Sequence, residues 1–181
     1  MKKIAIYGLS GAGKSTVRQI LVKKFKEKKL KVEVVKLAEP LYYMQSVLYE
    51  TAGKKIEYYQ QDQKVLEAMA GLLRNIDSFS IVNYFKRTVK NMDADIIIND
   101  DIRDYKTDYQ YLKNEGFVFI HVVCDEKIRR SRLEQREDIS IVKNSNTTSA
   151  LEKFTEDFVV ENNGTINELE EQINRIISEL Y

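Results

Sequence analysis

The stretch Gly8-Leu9-Ser10-Gly11-Ala12-Gly13-Lys14-Ser15-Thr16, directly after the apolar run Ile4-Ala5-Ile6-Tyr7, constrains this chain more than any other. It fits the pattern G-x-x-x-x-G-K-[ST], which wraps a polyphosphate. Glycines allow the close backbone approach that such wrapping needs. Successive N–H groups then face the phosphates, and the next helix adds its positive end. Gly8, Ser10, Gly11, Ala12, Gly13 and Thr16 are expected to line the phosphate site. Lys14 is expected to reach the β- and γ-phosphates, and Ser15 to bind Mg²⁺. The flanks agree. An apolar, strand-like run precedes the loop, and Val17, Ile20, Leu21 and Phe25 follow at helical spacing.

A chain of 181 residues suits one domain over residues 1–181. Its 29 basic and 28 acidic residues leave a formal net charge of +1, so no global field draws it to nucleic acid or a membrane. One cysteine, Cys124, excludes an internal disulfide and fits a reducing cytoplasm. It follows the apolar run Phe117–Val123 and is expected to be a buried small hydrophobe, with His121 in the core. No apolar stretch approaches the roughly 20 residues that span a bilayer. Met1-Lys2-Lys3 resembles the start of a signal peptide, but the loop glycines and Lys14 interrupt the apolar region too early.

Strands are expected at Lys3–Tyr7, Lys31–Leu37, Ala94–Asn99, Phe117–Val123 and Phe158–Glu161, with helix-length segments between them. Continuous apolar runs such as Ile96-Ile97-Ile98 suit strands buried on both faces. The alternation predicts an α/β fold, a five-stranded parallel sheet with helices on both faces. The helical region Glu57–Met92 is expected to break near Asn75-Ile76-Asp77, with Asp77 or Ser78 capping the second helix. Arg136–Ser149 reads as a polar loop, and a last helix is expected from about Thr165 to Leu180.

In an open parallel sheet, ligands bind at the carboxyl ends of the strands. That rule gathers the residues that end each strand. Asp100 and Asp101 follow the third strand, and Asp101 is favoured as metal carboxylate or base. Arg103 and Arg74 can grip an acceptor's phosphate. Glu39, ending the second strand, can take a proton from a hydroxyl acceptor. Tyr42 and Tyr43 can stack on a base. Arg129, Arg132 and Arg136 share a helix face, whereas Arg130 points elsewhere. An arginine row leading into a polar loop suits a short lid over about 126–150 that neutralises transferring phosphate.

Several of these elements together resemble deoxynucleoside monophosphate kinases. The similar segments are Leu37-Ala38-Glu39-Pro40-Leu41, the helix from Leu66 through Arg74 to Asp77, Asp101-Ile102-Arg103, and Arg129-x-x-Arg132-x-x-x-Arg136. Val159-Val160-Glu161-Asn162-Asn163-Gly164-Thr165 with Glu168-Leu169 resembles the last strand and turn shared with dephospho-CoA kinases. The resemblance implies a P-loop NTPase fold, an acceptor-side helical region over 40–92, ATP with Mg²⁺, and transfer to a nucleotide-like small molecule. It also implies that Arg129, Asn163 and Gly164 lie at the ATP site, with Lys14, Arg132 and Arg136 acting on the transferring group. Glu39-Pro40 also resembles the Glu-Pro element of deoxynucleoside kinases. The acceptor therefore stays open between a monophosphate, a nucleoside or modified nucleotide, and dephospho-CoA.

A regulatory GTPase is a competing class, but Asp-x-x-Gly and Asn-Lys-x-Asp are both absent. The balanced charge argues against extended nucleic-acid tracking. Lys86, Arg87, Lys90 and Lys106 keep a local basic groove in view. An apolar face on the Glu57–Met92 helices suits a homodimer.

Overall fold

The computed structural model describes residues 1–135 and 151–180. Five strands form one parallel sheet: β1 Lys2–Tyr7, β2 Val32–Val34, β3 Ile96–Asn99, β4 Val118–Val123 and β5 Phe158–Glu161. Their order is β2-β3-β1-β4-β5. β1 is therefore central, with Ile4 paired to Ile98 on one side and Val118 on the other. Alternate residues of each strand enter opposite layers. Ile96 and Ile98 pack with Ile4, Ile6 and Ile120 on one face, and Ile97 packs with Ala5 and Phe119 on the other. Both faces are covered, which is why the strands read as unbroken apolar runs.

One face is covered by α1 (Lys14–Glu27), through Val17, Leu21 and Phe25, and by the C-terminal helix Ile166–Leu180, through Leu169, Ile173 and Ile177. A capping box starts the latter. The Thr165 hydroxyl accepts from the Glu168 N–H at 3.3 Å, and the Glu168 carboxylate accepts from the Thr165 N–H at 2.7 Å. The other face carries α2 (Glu39–Thr51), α3 (Gln63–Ile76), α4 (Ser80–Lys90) and the short α5 (Gln110–Asn114). Leu41, Met69, Ile81, Phe85 and Leu112 fill that side. α6 (Glu126–Glu134) follows β4, and the C-terminal helix is α7. Leu72, Ile76 and Phe79 are exposed on α3 and the α3–α4 turn. No helix among the described residues is long and apolar enough to cross a membrane.

Four expectations need correction. β2 is shorter than Lys31–Leu37, because it is an edge strand whose chain turns inward after Val34. The helical region starts at Gln63, not Glu57. Buried Gln45 ties down the preceding loop, donating to the Gln60 carbonyl at 2.8 Å and accepting the Asp62 N–H at 3.1 Å. Asp62 then caps α3. Asp77 ends α3, and its carboxylate accepts from the Phe79 N–H at 2.9 Å. It thus bridges the turn, and α4 starts after Phe79 with no side-chain cap. His121 and Cys124 are only half-buried; the His121 ring stacks on Tyr7 at 4.4 Å. The expected polar loop from Arg136 lies outside the described residues.

Candidate active site

Gly13 shapes the loop after β1. Its φ of 101° lies in the left-handed region, and a Cβ there would stand 1.9 Å from the Asn162 Nδ2. That amide donates to the Ala12 carbonyl at 2.8 Å, while the Asn162 N–H bonds the Val123 carbonyl at 2.8 Å. The turn after β5 is thereby locked under the loop. Arg132 on α6 spans the same seam, donating to the Asn162 carbonyl at 3.2 Å and the Ala12 carbonyl at 3.5 Å. Lys14 donates to the carbonyls of Gly8 and Leu9 at 2.9 and 3.1 Å. Its ammonium thus sits folded over the loop, at the head of α1.

A cleft of about 640 Å³ opens over this loop. Ser10, Gly11, Gly13, Lys14, Ser15 and Thr16 form one side, and Lys36, Asp100, Asp101, Arg103 and Arg132 the other. The two adjacent aspartates differ. The Asp101 carboxylate accepts from the N–H groups of Leu37 at 2.9 Å and Ala38 at 3.0 Å, and from the Asn99 amide at 2.7 Å. It straps the end of β3 to the end of β2. Burial raises its pKa above the ordinary aspartate value, against the pull of Lys36 and those N–H groups. Asp100 instead lies between two cations, 2.9 Å from Lys36 Nζ and 3.2 Å from Arg18. Burial works against the Lys36 charge, but Asp101 and Asp100 outweigh it and lift its pKa.

A second cleft of about 410 Å³ lies between α2, α3 and the turn after β3. Its walls are apolar at Leu37, Leu41, Leu66 and Ala70 and charged at Arg74, Arg103 and Asp108. Tyr42, Gln61, Asp101 and Arg103 line both clefts, so the two are continuous. The Arg103 guanidinium has no hydrogen-bond or ion-pair partner among the described residues, and it stands at the junction. Tyr42 is buried, accepts from the Gln61 amide at 3.0 Å, and meets Tyr59 edge-on at 5.2 Å. Burial raises its phenol pKa.

Asp108 organises this end. It lies in a single π-helical turn, Tyr105–Tyr109, of the kind that recurs at functional sites. Its buried carboxylate accepts from the N–H groups of Arg103 at 3.3 Å and Asp104 at 3.0 Å, and from the Thr107 hydroxyl at 3.1 Å. It also meets Arg74 Nη2 at 3.4 Å. Burial raises its pKa, partly offset by Arg74. The Arg74 Nε is buried with no hydrogen-bond partner among the described residues.

The other expected site residues lie around the rim. Glu39, in the first turn of α2, accepts hydrogen bonds from Tyr58 at 2.8 Å and Tyr59 at 3.0 Å and lines neither cleft. Tyr43 is exposed to solvent. Arg129 pairs with Glu126 and donates to the Ser10 carbonyl at 3.0 Å. Glu126, which Arg130 also meets, is held down to about 2 by the two guanidiniums. The Asn163 amide oxygen accepts the Asp125 N–H at 2.7 Å, joining the β4 and β5 turns. At Gly164 a Cβ would stand 2.0 Å from the Glu168 carboxylate. Arg136 lies outside the described residues. Asn162 lies within the segment 159–165 with nothing to single it out from its neighbour Asn163, and Asp108 carried no motif or periodic signal. Asp62 carried one: it stands three residues before Val65, at capping distance.

A central strand feeding a phosphate loop, in a parallel sheet of order β2-β3-β1-β4-β5 with a two-part cleft at its carboxyl edge, defines a P-loop NTPase fold. By sequence the chain belongs to the AAA domain family, whose model matches residues 4–153. No curated protein matches it significantly in sequence. Solved structures share its fold over nearly its whole length. TT1252 from Thermus thermophilus is 17% identical, covering 99% of this chain and 98% of its own, at a TM-score of 0.58. A gluconokinase from Sinorhizobium meliloti 1021 is 13% identical, covering 99% and 95%, at 0.56. A shikimate kinase from Acinetobacter baumannii, in complex with shikimate, is 12% identical, covering 99% and 94%, at 0.58. Family and loop mark a nucleotide-binding P-loop domain, and its fold is the one that these kinases also have.

Proposed function

We propose that this chain transfers the γ-phosphoryl group of ATP to a nucleoside monophosphate, giving a diphosphate. The observation that carries the reading is that Arg74 and Arg103, whose guanidinium has no partner among the described residues, line one cleft continuous with the phosphate-loop cleft. Two guanidiniums beside a half-apolar pocket suit an anion attached to a ring system. An oxygen of the acceptor's phosphate attacks the γ-phosphorus. The bond to the β–γ bridging oxygen breaks, and ADP leaves with that electron pair. Lys14 and the loop N–H groups hold the β- and γ-phosphates. Arg132 leaves its carbonyl partners to neutralise charge on the transferring group, and Arg103 bridges donor and acceptor.

Among the described residues, no cluster of three acidic, histidine or cysteine side chains could hold a metal by itself. That fits an ion held largely by phosphates and water. Mg²⁺, when bound with ATP, neutralises phosphate charge; Ser15 on the loop fits it, and Asp100 would reach it on release from Lys36 and Arg18, which its two oxygens face at 2.9 and 3.2 Å. Asp101 has both oxygens committed to backbone N–H groups and Asn99, so its role is to hold the cleft wall.

A hydroxyl acceptor would need a carboxylate base. Glu39 lies outside both clefts, Asp101 is taken up by the Leu37 and Ala38 N–H groups and Asn99, and Asp100 faces Lys36 and Arg18, so the carboxylates at hand favour an acceptor that is already anionic. The test is purified protein with Mg²⁺-ATP and separate pools of deoxynucleoside monophosphates, ribonucleoside monophosphates, nucleosides and dephospho-CoA, read by mass spectrometry. A new nucleoside diphosphate is the expected product. Phosphate gained only on a nucleoside or on dephospho-CoA would overturn the monophosphate reading.

A further inference from the structure

α3 turns one face to the second cleft, and four residues there fall at helical spacing: Gln63, Glu67, Gly71 and Arg74. Three carry long polar side chains. The fourth is a glycine in the interior of a 14-residue helix, where glycine is among the least favourable residues. Nothing inside the protein requires it. A methyl group built on Gly71 would meet no atom within 4 Å, whereas Gly8 and Gly13 have no room for one against Val122 and Asn162. What Gly71 leaves is space, and that space opens into the cleft.

Arg74 stands further along the same face, roughly 4.5 Å away by helical rise. Its unpartnered Nε and its long contacts to Asp108 leave it ready for an anion. In the other direction Gln63 and Glu67 share a 2.9 Å hydrogen bond and form a polar end. Leu66 and Ala70 wall the space between.

We infer that Gly71 is a specificity-determining residue. The absent side chain admits the body of the acceptor next to its anionic group, so that the acceptor lies along α3 with the anion at Arg74. This rests on the kinase reading above and narrows it. The acceptor is an elongated phosphate monoester carrying a ring, not a compact anion.

The experiment compares wild type with Gly71→Ala and Gly71→Leu. Both substitutions favour the helix, so the variants are expected to fold with thermal midpoints about 1–4 °C higher. Initial rates are measured with Mg²⁺-ATP and a panel of nucleoside monophosphates, varying acceptor and ATP separately. The expected result is an acceptor KM raised at least about 10-fold in Gly71→Leu, a smaller rise in Gly71→Ala, and an ATP KM unchanged within about twofold. An unchanged acceptor KM in Gly71→Leu overturns the inference and leaves the kinase reading standing. Equal rises in both KM values, or a lowered midpoint, overturn it as a structural disturbance. A wild type that phosphorylates no member of the panel overturns both.

Discussion

Arg74 on α3 and Asp108 in the π-helical turn meet at 3.4 Å across 34 residues of sequence, and the same carboxylate accepts the backbone N–H of Arg103. One buried group therefore sets both arginines of the second cleft. Asp108→Asn removes the charge and one strong acceptor while keeping the shape. The acceptor KM is expected to rise about 10-fold, with kcat changed by no more than about threefold. Steady-state kinetics decide it. A fall in kcat at constant KM would assign Asp108 to a different step.

Burial raises the pKa values of both Asp101 and Asp108, which gives stability an unusual pH dependence. Each group binds its proton more tightly in the native state than in the unfolded chain, where the value is about 3.9. Between that value and the raised native one, the folded protein carries the extra proton, so this contribution falls as pH rises. The stability advantage of wild type over Asp101→Asn is therefore expected to be larger near pH 4 than at pH 7. Urea unfolding of the pair across that range measures it, and an advantage that grows with pH would contradict the burial argument.

The Asn162 amide fills the space beside Gly13 and bonds the Ala12 carbonyl. Asn162→Ala removes that brace, at a cost of about 1–2 kcal/mol in stability. ATP affinity is expected to drop about 10-fold, because the loop N–H groups lose their fixed aim. Equilibrium binding of a fluorescent ATP analogue tests this, and unchanged affinity would show that the loop holds its own shape.

Glu39→Gln is expected to leave transfer to a monophosphate within about threefold of wild type, since an anionic acceptor needs no base. Tyr58 and Tyr59 donate to different carboxylate oxygens, so one of them keeps its bond to the amide oxygen and the other hydroxyl turns to accept from the amide NH2. A loss of 100-fold or more in kcat would bring Glu39 into the chemistry and sink the monophosphate mechanism.

Strands and loop were legible because their signals are local and repetitive. Ile96-Ile97-Ile98 alternates between two buried layers, and glycine spacing with Lys14 and Ser15 declares a phosphate loop within nine residues. The short β2 was misread at its end because Val35 and Leu37 are as buried as strand residues, although the last ladder bond runs from the Val35 N–H to the Ile98 carbonyl. On its motif alone, the sequence favours Asp101 over Asp100 for the metal. What tells the two apart is their partners on the segment after β2 and on α1, which no spacing encodes. Asp108 escaped because its reach to Arg74 spans 34 residues, and Asn162, though inside the segment 159–165, was not singled out because its bond to Ala12 spans 150.

The contact between Asn162 and Ala12 spans 150 positions. In the order of synthesis, the phosphate loop comes long before the amide that braces it, which arrives with β5. The loop of a nascent chain therefore lacks this brace until β5 has docked beside β4, and the loop's full grip on nucleotide is expected to come late in folding.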